Sequence, residues 1–218
     1  MVLDDESCGL RATLAHQLPR SFLYSGDFVG ENVSNILDKM AASTEILPSI
    51  IGAAIINALL KVDERTITYG NLINYLNIHK EDVVGMVGAI LPLIPAIRNK
   101  TEKIYVFDRY PIDRLKEYCP DWKEPIILPD CSIVIISGTA VFNRTLDQLI
   151  PYLNNAKHVA LVGPTTPLIP EIFKKYKIDI ISGVKILNSK RVLRIVSQGG
   201  GTRDFGNSVK QVNIFLKR

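Results

Sequence analysis

HVALVGPTTPLIPEIFKKY, residues 158–176, passes from an apolar run into a lysine-bearing amphipathic run through Gly163-Pro164-Thr165-Thr166-Pro167. Its first part reads as a strand buried on both faces, because the apolar residues do not alternate with polar ones. Its second part reads as a helix with Pro167 and Pro170 in the first turn. Proline fixes φ and has no N–H, so it fits where backbone donors lack an intrahelical partner. Thr166 is placed to cap that turn, and Gly163 lets the chain leave the strand sharply.

The same alternation runs outward from this stretch. From about residue 82, DVVGMVG, KIYVF, SIVIISG, HVALVG, IDIISG and VNIFL read as strands. Between them PLIPAIRNK, NRTLDQLIPYLNN, PLIPEIFKKY and SKRVLRIVSQ read as helices. Strands separated by helices predict an α/β fold with a Rossmann-like mainly parallel sheet over residues 81–218. Residues 1–80 differ: a hairpin turning through Asp4, Asp5 and Glu6 precedes two helical stretches, NVSNILDKMAAS and LPSIIGAAIINALLKV. They predict a smaller N-terminal α+β domain.

Parallel strands put their strand-to-helix turns on one edge, where open α/β folds hold ligands. Three turns are candidates there. Gly163, Thr165 and Thr166 supply small polar groups. Ser137-Gly138-Thr139-Ala140 ends the preceding strand, and Asn143-Arg144-Thr145 then opens a helix. Each turn could equally be simple helix capping. Gly85-Met86-Val87-Gly88 followed by Asp108 has about the 20-residue gap between a dinucleotide-fold glycine turn and its ribose-binding acid. Leu91-Pro92 occupies the place of further glycines, and Asp108 could instead be a solvated charge paired with Arg109. PLIPAI at 92–97 echoes PLIPEI at 167–172 and aligns two of these turns. Gly199-Gly200-Gly201 reads as a connector, at the amino edge of the sheet if the last strand is parallel to the others.

GLRATL at 9–14, IGAAIINALL at 51–60, FDRYP at 107–111, ISGTAVFNRTLDQLI at 136–150, VALVGPTTPLIPEIF at 159–173 and SQGGGTRDF at 197–205 together resemble a family of uncharacterised prokaryotic proteins named for a proposed role in heavy-metal chelation. The pair SGTAVFNRTL and VGPTTPL is its specific part. The resemblance implies an enolase-N-terminal-like domain joined to a Rossmann-like domain, with a cleft between them and a metal-chelating molecule or metal complex as ligand. This sequence lacks the family's usual leading helix and first strand, which reads as a trimmed small domain or a misplaced start. Asn57, an amide on an otherwise apolar helix, would need partners, either from the Rossmann half or from its own domain.

Composition narrows the functions. The chain has 218 residues, 47% hydrophobic, and 26 basic against 22 acidic residues spread without a basic block, which disfavours nucleic acid as a partner. Cys8, Cys119 and Cys131 form no CxxC, and His16, His79 and His158 are scattered, so no metal motif exists. An acidic start and no apolar stretch of membrane length predict a cytoplasmic protein without a membrane span. The leading expectation is a protein binding a small anionic or metal-chelating ligand through Asn57, Gly88, Asp108, Gly138, Thr139, Asn143, Gly163, Thr165 and Thr166. No catalytic residue is assigned, no cofactor is identified, and a homo-oligomer is left open. The alternative is an enzyme using NAD or S-adenosylmethionine with Asp108 on the ribose.

Overall fold

The unalternating Val/Ile runs do pair as a parallel sheet, and the order of the strands explains why the glycine-bearing turns gather along one edge. The computed structural model describes residues 1–13, 26, 28–40, 43 and 45–216; Leu14 and His16 lie outside them. The strands are β1 (Ile67–Tyr69), β2 (Val84–Val87), β3 (Ile104–Asp108), β4 (Tyr118–Pro120), β5 (Ile133–Ser137), β6 (His158–Val162), β7 (Ile180–Ile186) and β8 (Val209–Phe215). They form one eight-stranded sheet in the order β1-β8-β7-β6-β5-β2-β3-β4. Strands β2 to β7 are parallel. The chain steps from β2 outward to β3 and β4, then returns to the other flank of β2 as β5, β6 and β7. That reversal makes the carboxyl ends of β2 and β5 the switch point where such sheets open a crevice.

Each face of the sheet has its own core. Val134 and Ile136 of β5 pack with Val87, Phe107, Val159 and Leu161, whereas Ile133 and Ile135 pack with Val84, Met86, Val106 and Ala160. Successive side chains therefore both find apolar neighbours, which is why the runs carry no polar alternation. Full burial stabilises each such side chain by about 1.5–3 kcal/mol.

The helices are shorter than their apolar spacing suggests. α3 covers only Ile94–Arg98, after a 3₁₀ turn at Leu91–Leu93, and α7 only Pro170–Phe173. Proline disfavours the helical region for the residue before it without excluding it: Ile94 stays helical ahead of Pro95, at φ −58°, ψ −46°, whereas Ile169 ahead of Pro170 leaves it, at φ −121°, ψ 89°. The helix starts at Pro170, so Pro167 precedes it and Thr166 does not cap it. Asn143-Arg144-Thr145 does open a helix, with Thr145 at the N-cap of the second of two short ones. α5 (Thr139–Phe142) ends there, Arg144 takes φ 59°, and α6 (Leu146–Leu149) follows. β8 also departs from expectation. Leu187 N–H donates to Ser208 O at 2.8 Å and Leu216 N–H to Asp179 O at 2.8 Å, so β8 runs antiparallel to β7. The condition that placed Gly199-Gly200-Gly201 at the amino edge therefore fails.

The chain divides into two compact units: residues 62–184 with 211–218, and residues 1–61 with 185–210. In the second, the amino-terminal turn runs through Asp4 and Asp5, with Val2 bridged to Cys8 and Leu3 N–H donating to Ser7 O at 2.8 Å. α1 (Val33–Met40), α2 (Ile46–Leu59) and α8 (Ser189–Ser197) belong to it. Gly9 lies against α2: a Cβ there would stand 2.0 Å from Ala54 O, so only glycine allows the approach. No helix among the described residues is long and apolar enough to cross a membrane.

At the amino edge of the sheet, Asp82 is 2% exposed. Its carboxylate accepts the His79 amide at 3.0 Å, the Ser132 hydroxyl at 2.7 Å and the Lys157 ammonium at 2.8 Å. Burial pushes the carboxyl up, but the three donors outweigh it and hold it at about 2, below its ordinary 3.8. The resulting stabilisation is complete above the unfolded value and is lost as pH falls through the folded one. Asp82→Ala is expected to lower unfolding free energy by about 2–3 kcal/mol at neutral pH. Urea denaturation at successive pH values should show the deficit shrinking between about pH 4 and pH 2.

Candidate functional site

Val87 stands opposite Ile136 in the parallel register of β2 and β5, so the residues that follow, Gly88 and Ser137, meet at the switch point. Gly88 has φ +80°, and a Cβ there would lie 2.8 Å from Ser137 Cβ. Glycine is required twice over, for the turn and for the space. The Ser137 and Thr139 hydroxyls are hydrogen-bonded to each other at 2.9 Å. One strand further, a Cβ on Gly138 would fall 2.3 Å from Thr166 Oγ1 and 2.7 Å from Thr166 N. Gly138 thus lets the turn after β5 press onto the turn after β6. Thr166 N–H donates to Gly163 O at 3.0 Å, and Gly163 N–H to Ser182 O at 3.0 Å.

Thr165 and Thr166 are 5% and 4% exposed. Among the described residues the Thr166 hydroxyl has no hydrogen-bond partner, and an unsatisfied buried polar group costs about 1–3 kcal/mol. The structure therefore brings Gly88, Gly138, Thr139, Gly163 and Thr166 together, with Thr165 in the same turn. Ser137, read from sequence only as the end of a strand, joins them.

The other sequence candidates are placed differently. Asn143 is the C-cap of α5, its N–H donating to Thr139 O at 2.9 Å. Asp108 accepts Ala89 N–H at 3.1 Å through Oδ2 and Tyr110 N–H at 3.3 Å through Oδ1, tying the turns after β2 and β3 together. Arg109 turns to Asp121, at 3.3 Å. Asn57 belongs to the other compact unit and donates to Leu10 O at 2.9 Å.

Counting donors decides what the edge can offer. The amides of Gly88, Ala89, Gly138, Gly163 and Thr166 donate to Phe107 O, Asp108, Val162 O, Ser182 O and Gly163 O. A pyrophosphate cradle needs such amides free, so the NAD or S-adenosylmethionine reading gains no support. Beside these amides stand the hydroxyls of Ser137, Thr139 and Thr166.

One titratable group was not visible in the sequence. Glu124 opens α4 (Glu124–Ile127), after the edge strand β4. Burial first, then Asp121, raise its carboxyl to about 7, against the pull of Arg109; Asp108 adds to the rise. It holds a proton far nearer neutrality than an ordinary glutamate, a state common at functional sites. Asp-Trp-Lys-Glu-Pro looks like an ordinary helix start, and the burial that matters is tertiary.

Residues 71–215 match the family described as "Putative heavy-metal chelation". An uncharacterised protein of Methanocaldococcus jannaschii is 32% identical over 169 residues, covering 76% of this chain and 64% of that protein. The chain thus spans less than two thirds of the length of this relative. A protein of unknown function from Pyrococcus horikoshii superposes with a TM-score of 0.77 at 24% identity, over 95% of this chain and 83% of that one. Another from Desulfitobacterium hafniense superposes with a TM-score of 0.71 at 22% identity, over 90% and 79%. At these identities the structural likeness shows the fold, and both proteins are of the DUF364 family. Sequence match and fold agree, and the chain belongs to the DUF364 family of heavy-metal-chelation description.

Proposed function

We propose that this chain binds a small anionic or metal-chelating organic molecule at the carboxyl edge of β2, β5 and β6. Thr166 and whichever of the bonded Ser137 and Thr139 hydroxyls keeps its proton are the donors, and Gly88, Gly138 and Gly163 shape the turns around them. Thr165 shares the turn of Thr166; Asp108 and Asn143 position the neighbouring backbone. The single observation carrying the reading is the enclosed Thr166 hydroxyl without a partner. A fold tolerates such a cost mainly where function uses the group. A ligand oxygen seated beside Gly138 supplies the missing bond when the 163–167 turn gives way.

The metal in the family's description fits as part of the ligand rather than as an ion held by side chains. Among the described residues no group of three His, Cys, Asp or Glu is placed to hold a metal ion. Burial pushes up the thiols of Cys8, Cys119 and Cys131, the last to about 12, and metals bind the thiolate. The three cysteines are free thiols, which suits a reducing compartment such as the cytoplasm.

Thr166→Val tests the reading because function and stability move in opposite directions. Removing an unsatisfied hydroxyl should raise the melting temperature by about 2–4 °C. The same change should abolish the thermal shift given by small carboxylates and aminocarboxylate chelators, with or without bound metal. Thr139→Val should lose the shift without the gain. A shift retained when Thr139→Val and Thr166→Val are combined, or a larger one from NAD or S-adenosylmethionine, rules the assignment out.

A further inference from the structure

Beyond the turn after β6, the strands β7 and β8 carry a second enclosed polar atom with nothing bonded to it. β8 is held to β7 by the bonds from Leu187 N–H to Ser208 O and from Leu216 N–H to Asp179 O. Five residues back from Leu187 and five on from Ser208, Ser182 of β7 stands opposite Asn213 of β8. An odd step from a hydrogen-bonded pair reaches a pair without backbone bonds, where side chains stand closest. Ser182 is 1% exposed and Asn213 is fully buried.

The Asn213 amide has one tenable orientation. Its Nδ2 donates to Thr68 O at 3.2 Å and to Gly70 O at 2.9 Å, and a flipped amide would set oxygen against both carbonyls. With Nδ2 committed to the β1 side, Oδ1 is turned toward β7, and among the described residues it has no hydrogen-bond partner. Ser182 Oγ accepts the Gln211 side-chain amide at 3.2 Å and keeps a second lone pair. An amide oxygen and a hydroxyl oxygen, adjacent and enclosed, call for a group that brings more than one N–H.

This pair adjoins the carboxyl edge. Val162, the last residue of β6, is level with Ser182. Gly163 N–H donates to Ser182 O, and Gly163 O accepts Thr166 N–H, both at 3.0 Å. Gly163 thus links the turn of Thr166 to Ser182, and a Cβ there would meet no atom within 4 Å beyond its chain neighbours. From β6 to β8 is two strand spacings, about 10 Å. All these residues belong to one compact unit.

We infer that the ligand is an amino carboxylate: its oxyanion meets Thr166, and Asn213 Oδ1 and Ser182 Oγ accept the N–H bonds of an amino group at its other end. This rests on the carboxyl-edge reading above and adds the nitrogen to it. 6-Aminohexanoate and hexanoate are the probes, since they differ only in that nitrogen and the extended chain, with a hydrogen bond at each end, covers the span. Calorimetry on the full chain should show 6-aminohexanoate binding at least about 10-fold tighter than hexanoate. The side-chain amide resonances of Asn213 should shift with the first probe and not with the second. Ser182→Ala should bring the two affinities to within about threefold of each other. Equal affinities in the wild-type chain, lost together in Thr166→Val, overturn the amino-group inference and leave the carboxyl-edge reading standing. Absence of binding by both probes overturns both. A long-lived water on Asn213 that 6-aminohexanoate does not displace also overturns the inference.

Discussion

The buried carboxylate of Asp82 sets the level at which three central strands begin. It sits just before β2 and takes hydrogen bonds from Ser132, at the start of β5, and Lys157, at the start of β6. The Thr101 hydroxyl, ahead of β3, donates to Asp82 O at 2.7 Å. Since strands rise by a fixed length per residue, pinning their starts fixes where they finish. Gly88 and Ser137 meet at the far ends because Asp82 and Ser132 meet at the near ends. A fully satisfied polar cluster at one edge thus defines the geometry of the incompletely satisfied one at the other.

The two edges illustrate opposite uses of polarity in a low-dielectric setting. At the amino edge the His79 amide, the Ser132 hydroxyl and the Lys157 ammonium all find the charge of Asp82, and burial strengthens the bonds it would otherwise penalise. At the carboxyl edge the hydroxyls of Ser137 and Thr139 satisfy one another, while that of Thr166 is enclosed alone. An oxygen-bearing ligand met by neutral donors such as these is held by direction more than by attraction, which favours recognition of shape over capture of any passing anion.

Much of this was legible in the sequence because burial on both faces leaves a plain mark. SIVIIS and HVALV have no polar alternation, and each became a central strand. The turns followed, since a glycine after such a run marks the point where the chain leaves the sheet. The helices were less legible: their apolar spacing is helical, but a residue before proline can go either way, Ile94 staying helical ahead of Pro95 and Ile169 leaving the helical region ahead of Pro170. Strand direction at the end of the chain was hidden altogether, as VNIFL looks the same parallel or antiparallel. Ser137 and Glu124 escaped notice for one reason. Their significance lies in what stands beside them, a neighbouring turn for one and burial for the other, and neither leaves a local pattern. Asn57 shows the converse: the amide did need a partner, and Leu10 of its own unit provides one.

The position of β8 bears on how the chain is made. β1 pairs with β8, Ile67 against Ile214, and the fully buried Asn213 donates to Thr68 O and Gly70 O across 145 and 143 residues of sequence. A ribosome releases residues in order, so β1 waits for its partner β8 until about 145 further residues have been synthesised. Contacts this distant in sequence form late and slowly. During translation the segment around Ile67 and Tyr69 is an apolar edge in waiting, and its brevity, three residues, limits what it can mistakenly pair with before its proper partner arrives.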